Sequence, residues 1–480
     1  MMGIQKTIQE SLFSYKVSLD ARVRKDHVLR KIQQAVDFGF IYKEVEKFYG
    51  ERGNVSVPPV IILKMMFLLF FYDVRSEREL MDTIPERIDW TWFLGYTLDD
   101  EIPNHSVLSK ARARWGIEVF RSFFERIVWQ CVESGLVGGE KLFIDASLID
   151  ADASKNSVVD RKDLSRYLNR KYMELEDKLE DKGTQVNDRR VSTTDPEASI
   201  VRHKGKGPVL CYKTHRGVDP LNEVITSTLL TTGNVDDGAV LFDMLEIHEK
   251  NTEAAVKTVV ADSRYGITNN YLMCHDLNIE AHIPSLEETQ KGRNKEIISS
   301  GEFSYDKGKD AYICPAGQIL DKKRYHKKRD SFDYYTLPRV CKACHLKENC
   351  TRSKTSRSVK RHLRQDELDI MREKSRSRQS KQDIKKRQDL SERSFAQSTR
   401  YGFKQARWRG LIRVTIQDYL IASIQNIVKL LKTNKPKKKI AGVMPVIQTE
   451  NGHDSRRYLT FKRLLDCFLK KHTEHQPCFL

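Results

Sequence analysis

Two short apolar runs that each lead into an aspartate set the strongest limit on how this chain folds. Leu142-Phe143-Ile144 ends in Asp145, and Thr258-Val259-Val260-Ala261 ends in Asp262. Between and after them stand further strand signals. Val209-Leu210-Cys211-Tyr212 is one, and Val224 to Leu230, rich in β-branched residues, is another. Asp236 to Lys250 and about Thr268 to Leu277 read as helices, and Ile279 to Ile283 as a strand. Strand, hairpin, helix, strand, helix, strand predicts an α/β core with a mixed sheet.

The flanks read differently. Residues 1–138 show no strand pattern and predict a helical domain. There Val57-Pro58-Pro59 opens a helix with a broad apolar face through Ile61, Leu63, Met66, Leu69 and Phe70. Ser76 with Glu79 has the capping-box spacing that starts another helix. After the turn Pro103-Asn104-His105-Ser106, Ala111 to Val132 is helical, with Arg112, Arg114, Arg121 and Arg126 along it. The core, residues 139–290, contains a charged insertion at about 152–207, partly helical around Tyr172 to Leu179. Periodicity then fades, and 291–384 reads as an irregular, basic, cysteine-containing insertion. Residues 385–435 are helical again, with an amphipathic signal at Ile412, Val414, Ile416, Leu420, Ile421, Ile424, Ile427 and Leu430. Residues 436–480 form a basic tail that starts in a lysine run.

Charge narrows the partner. The formal net charge is +18, a surplus that calls for a polyanion or an anionic surface. A membrane span is excluded on length: the best apolar run, Val60 to Tyr72, is too short and carries Lys64. No signal-peptide pattern stands at the N-terminus. Nine cysteines, mostly single, suit a reducing cytoplasm better than a disulfide framework. Nucleic acid is the expected partner.

The aspartates then acquire a chemistry. Side chains at strand C-termini converge on one edge of a sheet, where substrates bind. Phosphodiester cleavage and strand transfer use two divalent cations about 3.5–4 Å apart, and magnesium takes hard carboxylate oxygens. Taken singly, an aspartate after a strand is ordinarily a turn or helix cap, and Glu392 on a basic helix is ordinarily a surface ion-pair partner.

Local motifs lift these residues out of that background. Phe143-Ile144-Asp145-Ala146-Ser147, with Ala151 and Ala153, resembles the first-aspartate motif of DDE-type insertion-sequence transposases. Val259-Val260-Ala261-Asp262-Ser263-Arg264-Tyr265-Gly266 resembles their second-aspartate motif. Glu392-Arg393-Ser394-Phe395-Ala396, with Arg409-Gly410-Leu411 beyond it, resembles their third-acid helix. Tyr212-Lys213-Thr214-His215 and Thr232-Gly233-Asn234-Val235-Asp236-Asp237 are similar to intermediate segments. The Pro59 region, Ser76 to Leu80 and Pro103 to Ser106 are similar to the helical DNA-binding domain of one branch.

The resemblance implies an RNase H-like core in which Asp145, Asp262 and Glu392 hold two Mg²⁺ ions, for which Mn²⁺ can substitute. It implies metal-dependent cleavage and strand transfer on double-stranded DNA at terminal inverted repeats, by a homodimer or higher oligomer in the nucleoid of a prokaryotic cytoplasm. Arg387, five residues before Glu392, matches the family, and Arg393, Arg400, Lys404 and Arg409 are further candidate DNA contacts. One departure stands out: the family usually has a lysine seven residues after the third acid, and here that position is Thr399. Two other readings use the same residues. One is an RNase H-like nuclease without transposition. The other is a catalytically silent DNA-binding protein derived from a transposase, which Thr399 favours.

Cys341-x2-Cys344-x5-Cys350, with Cys314 upstream and His345 in reach, offers four thiolates. The Cys-x2-Cys step is a common half of a structural zinc site, and free thiols in an insertion are the alternative. Lys322 to Arg329 and Arg352 to Arg413 are dense in lysine and arginine, with Tyr325, Tyr334, Tyr335, Tyr401, Phe403 and Trp408 among or near them. Such regions position a duplex through its phosphates.

Overall fold

The computed structural model describes residues 2, 18–50, 55–160, 186–202, 207–286 and 297–432. The helix expected around Tyr172 to Leu179 and the basic tail lie outside the described residues.

A mixed sheet organises the core. Its central strand, β1 (Lys141–Asp150), is followed by β2 (Ser199–Arg202), β3 (Pro208–Asp219), β4 (Val224–Thr232), β5 (Thr258–Val260) and β6 (Glu280–His282). The strand β3 runs antiparallel to β1 on one side and takes β2 and β4 on its other edge. On the far side of β1, β5 and β6 continue the sheet in parallel. Apart from the short edge strand β2, three antiparallel strands followed by two parallel ones is the RNase H-like order that the resemblance implies.

Both faces of this sheet are covered, which explains why its central strands read as continuous apolar runs. In β1, Leu142 and Ile144 pack into a cluster with Leu241, Met244 and Leu245 of α3 (Leu241–Thr252) and Tyr271 and Leu272 of α4 (Thr268–Asp276). On the opposite face Phe143 packs with Val260 and with Leu390 of α6 (Arg378–Ser398). The alternation of β1 decides which side its aspartate serves: Asp145 shares the face of Phe143.

The strand does not end at Asp145, as the apolar run suggested. It continues to Asp150 because β3 pairs with it along its length, from Phe143↔Val218 to Asp150↔Cys211. The parallel neighbour behaves differently. Pairing with β5 stops at Phe143↔Val260, so Asp145 sits where one side of β1 loses its partner.

The helix α7 (Leu411–Lys432) lies on the sheet face of Asp145 and is buried along most of its length. It carries an unusual polar layer. Arg216 of β3 and Asp418 of α7, each 1% exposed, pair at 2.9 Å. Thr214 donates to the same carboxylate at 2.9 Å, and Arg216 also reaches Gln425 at 2.9 Å. Asn426 acts as a strand edge for β4, accepting from Ile225 N–H at 2.9 Å and donating to Ile225 C=O at 2.8 Å.

The N-terminal part is helical, as its sequence predicts. Pro59 supplies the first turn of α1 (Pro59–Phe71), which is buried from Pro59 to Phe70. Lys64 fits this apolar helix by donating to the Phe93 carbonyl at 2.8 Å, and burial lowers its pKa to about 8. Ser76 caps the short helix Glu77–Thr83 through the Glu79 N–H. The long helix α2 (Ser106–Glu133) is interrupted at Gly116, whose φ of 68° suits a residue without Cβ. One hydrophobic cluster joins α1, α2, α7 and the β3–β4 hairpin.

The segment whose periodicity fades holds more order than its pattern suggests. Ser304–Asp306, Ala311–Ile313 and Ile319–Leu320 form one small sheet, and Lys322–His326, Ser331–Tyr335 and Ser358–His362 form another. A cluster of Phe303, Tyr312, Leu320, Tyr334 and Val359 holds them together. Strands of two to five residues are too short to show a period. The helix α5 (Gln365–Ser375) then docks Leu368 and Met371 into the core cluster beside α4.

Candidate active site

Continuing the β1–β5 register two places beyond Phe143↔Val260 sets Asp145 opposite Asp262. The two carboxylates are close enough for the charge of Asp262 to act on Asp145. Burial lifts the Asp145 carboxyl above the usual carboxylate range, Arg387 and the Ala146 N–H pull it back, and Asp262 pushes it up again. The Arg387 guanidinium of α6 lies 2.7 Å from Asp145 Oδ2. Ser391, four residues on and therefore on the same helix face, also hydrogen-bonds Asp145.

Asp262 caps the turn that follows β5. Its Oδ1 accepts from the Arg264 N–H at 2.9 Å, which is the ordinary role of an aspartate after a strand. That bond uses one oxygen and fixes the side chain's direction. Two residues of the turn explain its motif. Tyr265 is fully buried, and its hydroxyl meets His215 Nδ1 of β3 at 3.1 Å. Its pKa is pushed well above normal, first by burial, then by Asp237, Asp145 and Asp262. Gly266 has no room for a side chain, since a Cβ would meet the Pro284 carbonyl oxygen at 2.1 Å.

The third acid is placed differently. Glu392 follows Ser391, about 100° further round the helix. It is exposed, and its Oε1 accepts from Gln388 at 3.2 Å. The structure thus brings Asp145 and Asp262 together, with Arg387 and Ser391 on them, and sets Glu392 on the outer side of the same helix. Ser391 is the contact the sequence did not single out.

Comparison with known families bears on this geometry. Residues 17–114 match the family described as Transposase domain (DUF772), and residues 313–431 match the family described as Transposase DDE domain. The two matches support an insertion-sequence DDE-type transposase. No curated protein matches it. The second match spans Glu392 and the cysteines, while Asp145 and Asp262 lie upstream of it. The transposase is therefore a DNA-processing, DNA-binding enzyme of a family that generally uses divalent metals. Among its described residues, no helix is long and apolar enough to cross a membrane.

The basic candidates of the transposase fall into two groups. Arg387 is buried against Asp145, and Arg393 pairs with Glu223 at 2.8 Å. Arg400, Lys404 and Arg409 lie exposed beyond α6. The chain there returns along β1, with Asp150 N–H donating to the Lys404 carbonyl at 3.0 Å. Arg409 Nε donates to Asp152, to its carbonyl at 2.9 Å and its carboxylate at 3.0 Å. Thr399 turns its hydroxyl back onto the Ala396 carbonyl at 2.6 Å, closing the helix end.

The four cysteines of the insertion converge. Cys314, Cys341, Cys344 and Cys350 line one small pocket with Phe303 and Val340. The Cys350 thiol is pushed up by burial and by the other three, against the pull of Arg357. Cys314 Sγ accepts from the Gln318 N–H at 3.3 Å.

Proposed function

We propose that this transposase cuts and joins DNA by metal-dependent phosphoryl transfer, with Asp145 and Asp262 as the principal metal ligands and Glu392 as the third acid. The observation that carries this reading is the convergence of Asp145 and Asp262 at the point where β5 leaves β1. Two facing carboxylates, one of them lifted by burial and by the charge of the other, fit a hard divalent cation. When bound, Mg²⁺ or Mn²⁺ supplies charge for the attacking and leaving oxygens.

The protein's own groups orient this chemistry. The Arg264 N–H holds Asp262, and Arg387 and Ser391 hold Asp145 from the helix side. Glu392, exposed on the outer side of α6, is the acid that DNA binding would have to bring to the metals. Water attacks the end phosphodiester and displaces a 3′-oxygen, leaving a 3′-hydroxyl and a 5′-phosphate. The 3′-hydroxyl then attacks a target phosphodiester in line, forming the new joint and displacing the target's own 3′-oxygen. Double-stranded DNA at element ends and target, a homodimer or higher oligomer that pairs two ends, and a nucleoid location in the cytoplasm complete the reading.

A plasmid bearing the sequences that flank the gene tests it. Mg²⁺-dependent nicks at the repeat ends followed by joining support transposition. Cleavage without joining marks a nuclease, and tight binding without cleavage marks a silent DNA-binding protein. The pH response follows from Asp145. Because its carboxyl is raised, protons compete with metal above the usual carboxylate range of about 3.9. Mn²⁺ affinity, read by isothermal titration, falls as pH drops toward that range, and the fall vanishes in Asp145→Asn.

The cysteine pocket is proposed to hold structural zinc through Cys314, Cys341, Cys344 and Cys350, since thiolates suit zinc and carboxylates suit magnesium. Metal analysis of purified protein is expected to give about one zinc per chain. Cys344→Ser is expected to lose it while leaving the core folded, and zinc-free wild-type protein would refute the assignment.

A further inference from the structure

We infer that the transposase has a second DNA-phosphate site, a cavity formed by Arg112, Arg409, Arg413 and Trp408 between α2 and the start of α7. This rests on the reading that the aspartate pair acts on DNA, and it adds a place where the duplex is gripped away from the chemistry.

The cavity is about 270 Å³ and includes Ser109 and Asp152 in its wall. Arg112 is its floor. This arginine is only 7% exposed, its guanidinium lies 3.9 Å from the centre of the Trp408 ring, and it ion-pairs with Glu77. Among the described residues its Nε nevertheless has no hydrogen-bond partner. A buried guanidinium N–H left unmatched is costly unless a ligand completes it. Arg413 stands at the mouth. It is exposed, has no carboxylate partner among the described residues, and is close enough for its charge to oppose that of Arg112. Two guanidinium groups that repel across a cavity are what a phosphate would reconcile, and the planar fork of arginine suits phosphate oxygens.

The neighbouring charges do not cancel this. Arg407 is spent on Asp73 and on the Leu69 carbonyl at the end of α1. Asp152 holds Arg409 by one edge. Asp195 and Glu197 accept from the Gly410 and Leu411 N–H groups. Among the described residues of this wall, Arg413 is therefore the cation in surplus. A free anion would satisfy the same groups, but the position favours DNA. Asp152 follows the end of β1, so the cavity lies about 20 Å from Asp145 at roughly 3.3 Å per strand residue. That is on the order of six nucleotides along one DNA strand. A phosphate gripped there would fix both the N-terminal helices and the core onto one duplex.

The test uses the full chain, a fluorescent duplex and a salt series. In Arg413→Ala, and in Arg409→Ala, the slope of log affinity against log salt is expected to become shallower by about 0.9, one phosphate contact each. Trp408 emission is expected to change on duplex addition, and Trp408→Phe identifies that signal. Equal slopes in wild type and both variants, with normal duplex binding, overturn the pocket and leave the aspartate reading standing. Inorganic phosphate that shifts Trp408 emission while the duplex slopes stay equal assigns the cavity to a free anion and overturns the DNA assignment. Wild type that binds no duplex overturns both readings. Arg413 is exposed, so loss of folding does not confuse the result.

Discussion

Asp145→Asn and Asp262→Asn are each expected to lower Mg²⁺-dependent end cleavage by at least about a thousandfold, roughly 4 kcal/mol of transition-state stabilisation. Asparagine keeps the size of the side chain and removes the charge that a divalent cation requires. The effect belongs to chemistry and not to folding. Asp145 is half-buried beside Arg387, and Asp262 keeps its cap on the Arg264 N–H with an amide oxygen in place of the carboxylate. Duplex binding by gel shift is therefore expected to persist. Cleavage within tenfold of wild type in either variant would remove that aspartate from the site. Glu392→Gln is the companion measurement, because its carboxylate is exposed and bonded to Gln388. A loss comparable to the aspartates would show that Glu392 reaches the metals once DNA is bound.

The second large effect concerns stability. Arg216→Ala is expected to destabilise the protein by about 3–5 kcal/mol, because it strands Asp418 without a counter-charge inside the core. Both groups are 1% exposed, and Thr214 and Gln425 depend on the same network. Urea denaturation measures the cost. The double variant Arg216→Met with Asp418→Leu is expected to recover much of it, since an apolar pair of similar volume avoids the desolvation of two charges. Equal stability of Arg216→Ala and wild type would show that the polar layer is not needed to join α7 to the sheet.

How much of this was legible in the sequence depends on the residue. The apolar runs before Asp145 and Asp262 were, because burial on both sheet faces leaves no alternation to confuse them. The reach of β1 to Asp150 was not. Its second half is stabilised by pairing with β3, a contact between residues more than sixty positions apart that no local pattern records. Nor was the partner of Lys64 in α1, since the Phe93 carbonyl that it donates to comes from another helix. The convergence of the cysteines was not, because the five-residue step to Cys350 has no fixed geometry until the short helix Lys347–Cys350 turns it toward the other three. The third acid shows the limit most clearly. Its motif placed Glu392 on α6, but a motif does not fix which way a helix is rotated. Leu390, packed against Phe143 and Val260, sets that rotation and presents Arg387 and Ser391 to Asp145.

The most direct measurement is the anomalous diffraction of Mn²⁺ in crystals of the transposase bound to a duplex. A peak is expected within coordination distance, about 2.2 Å, of carboxylate oxygens of both Asp145 and Asp262. A duplex-bound structure with Mn²⁺ elsewhere, and Arg387 still closing Asp145, would contradict it.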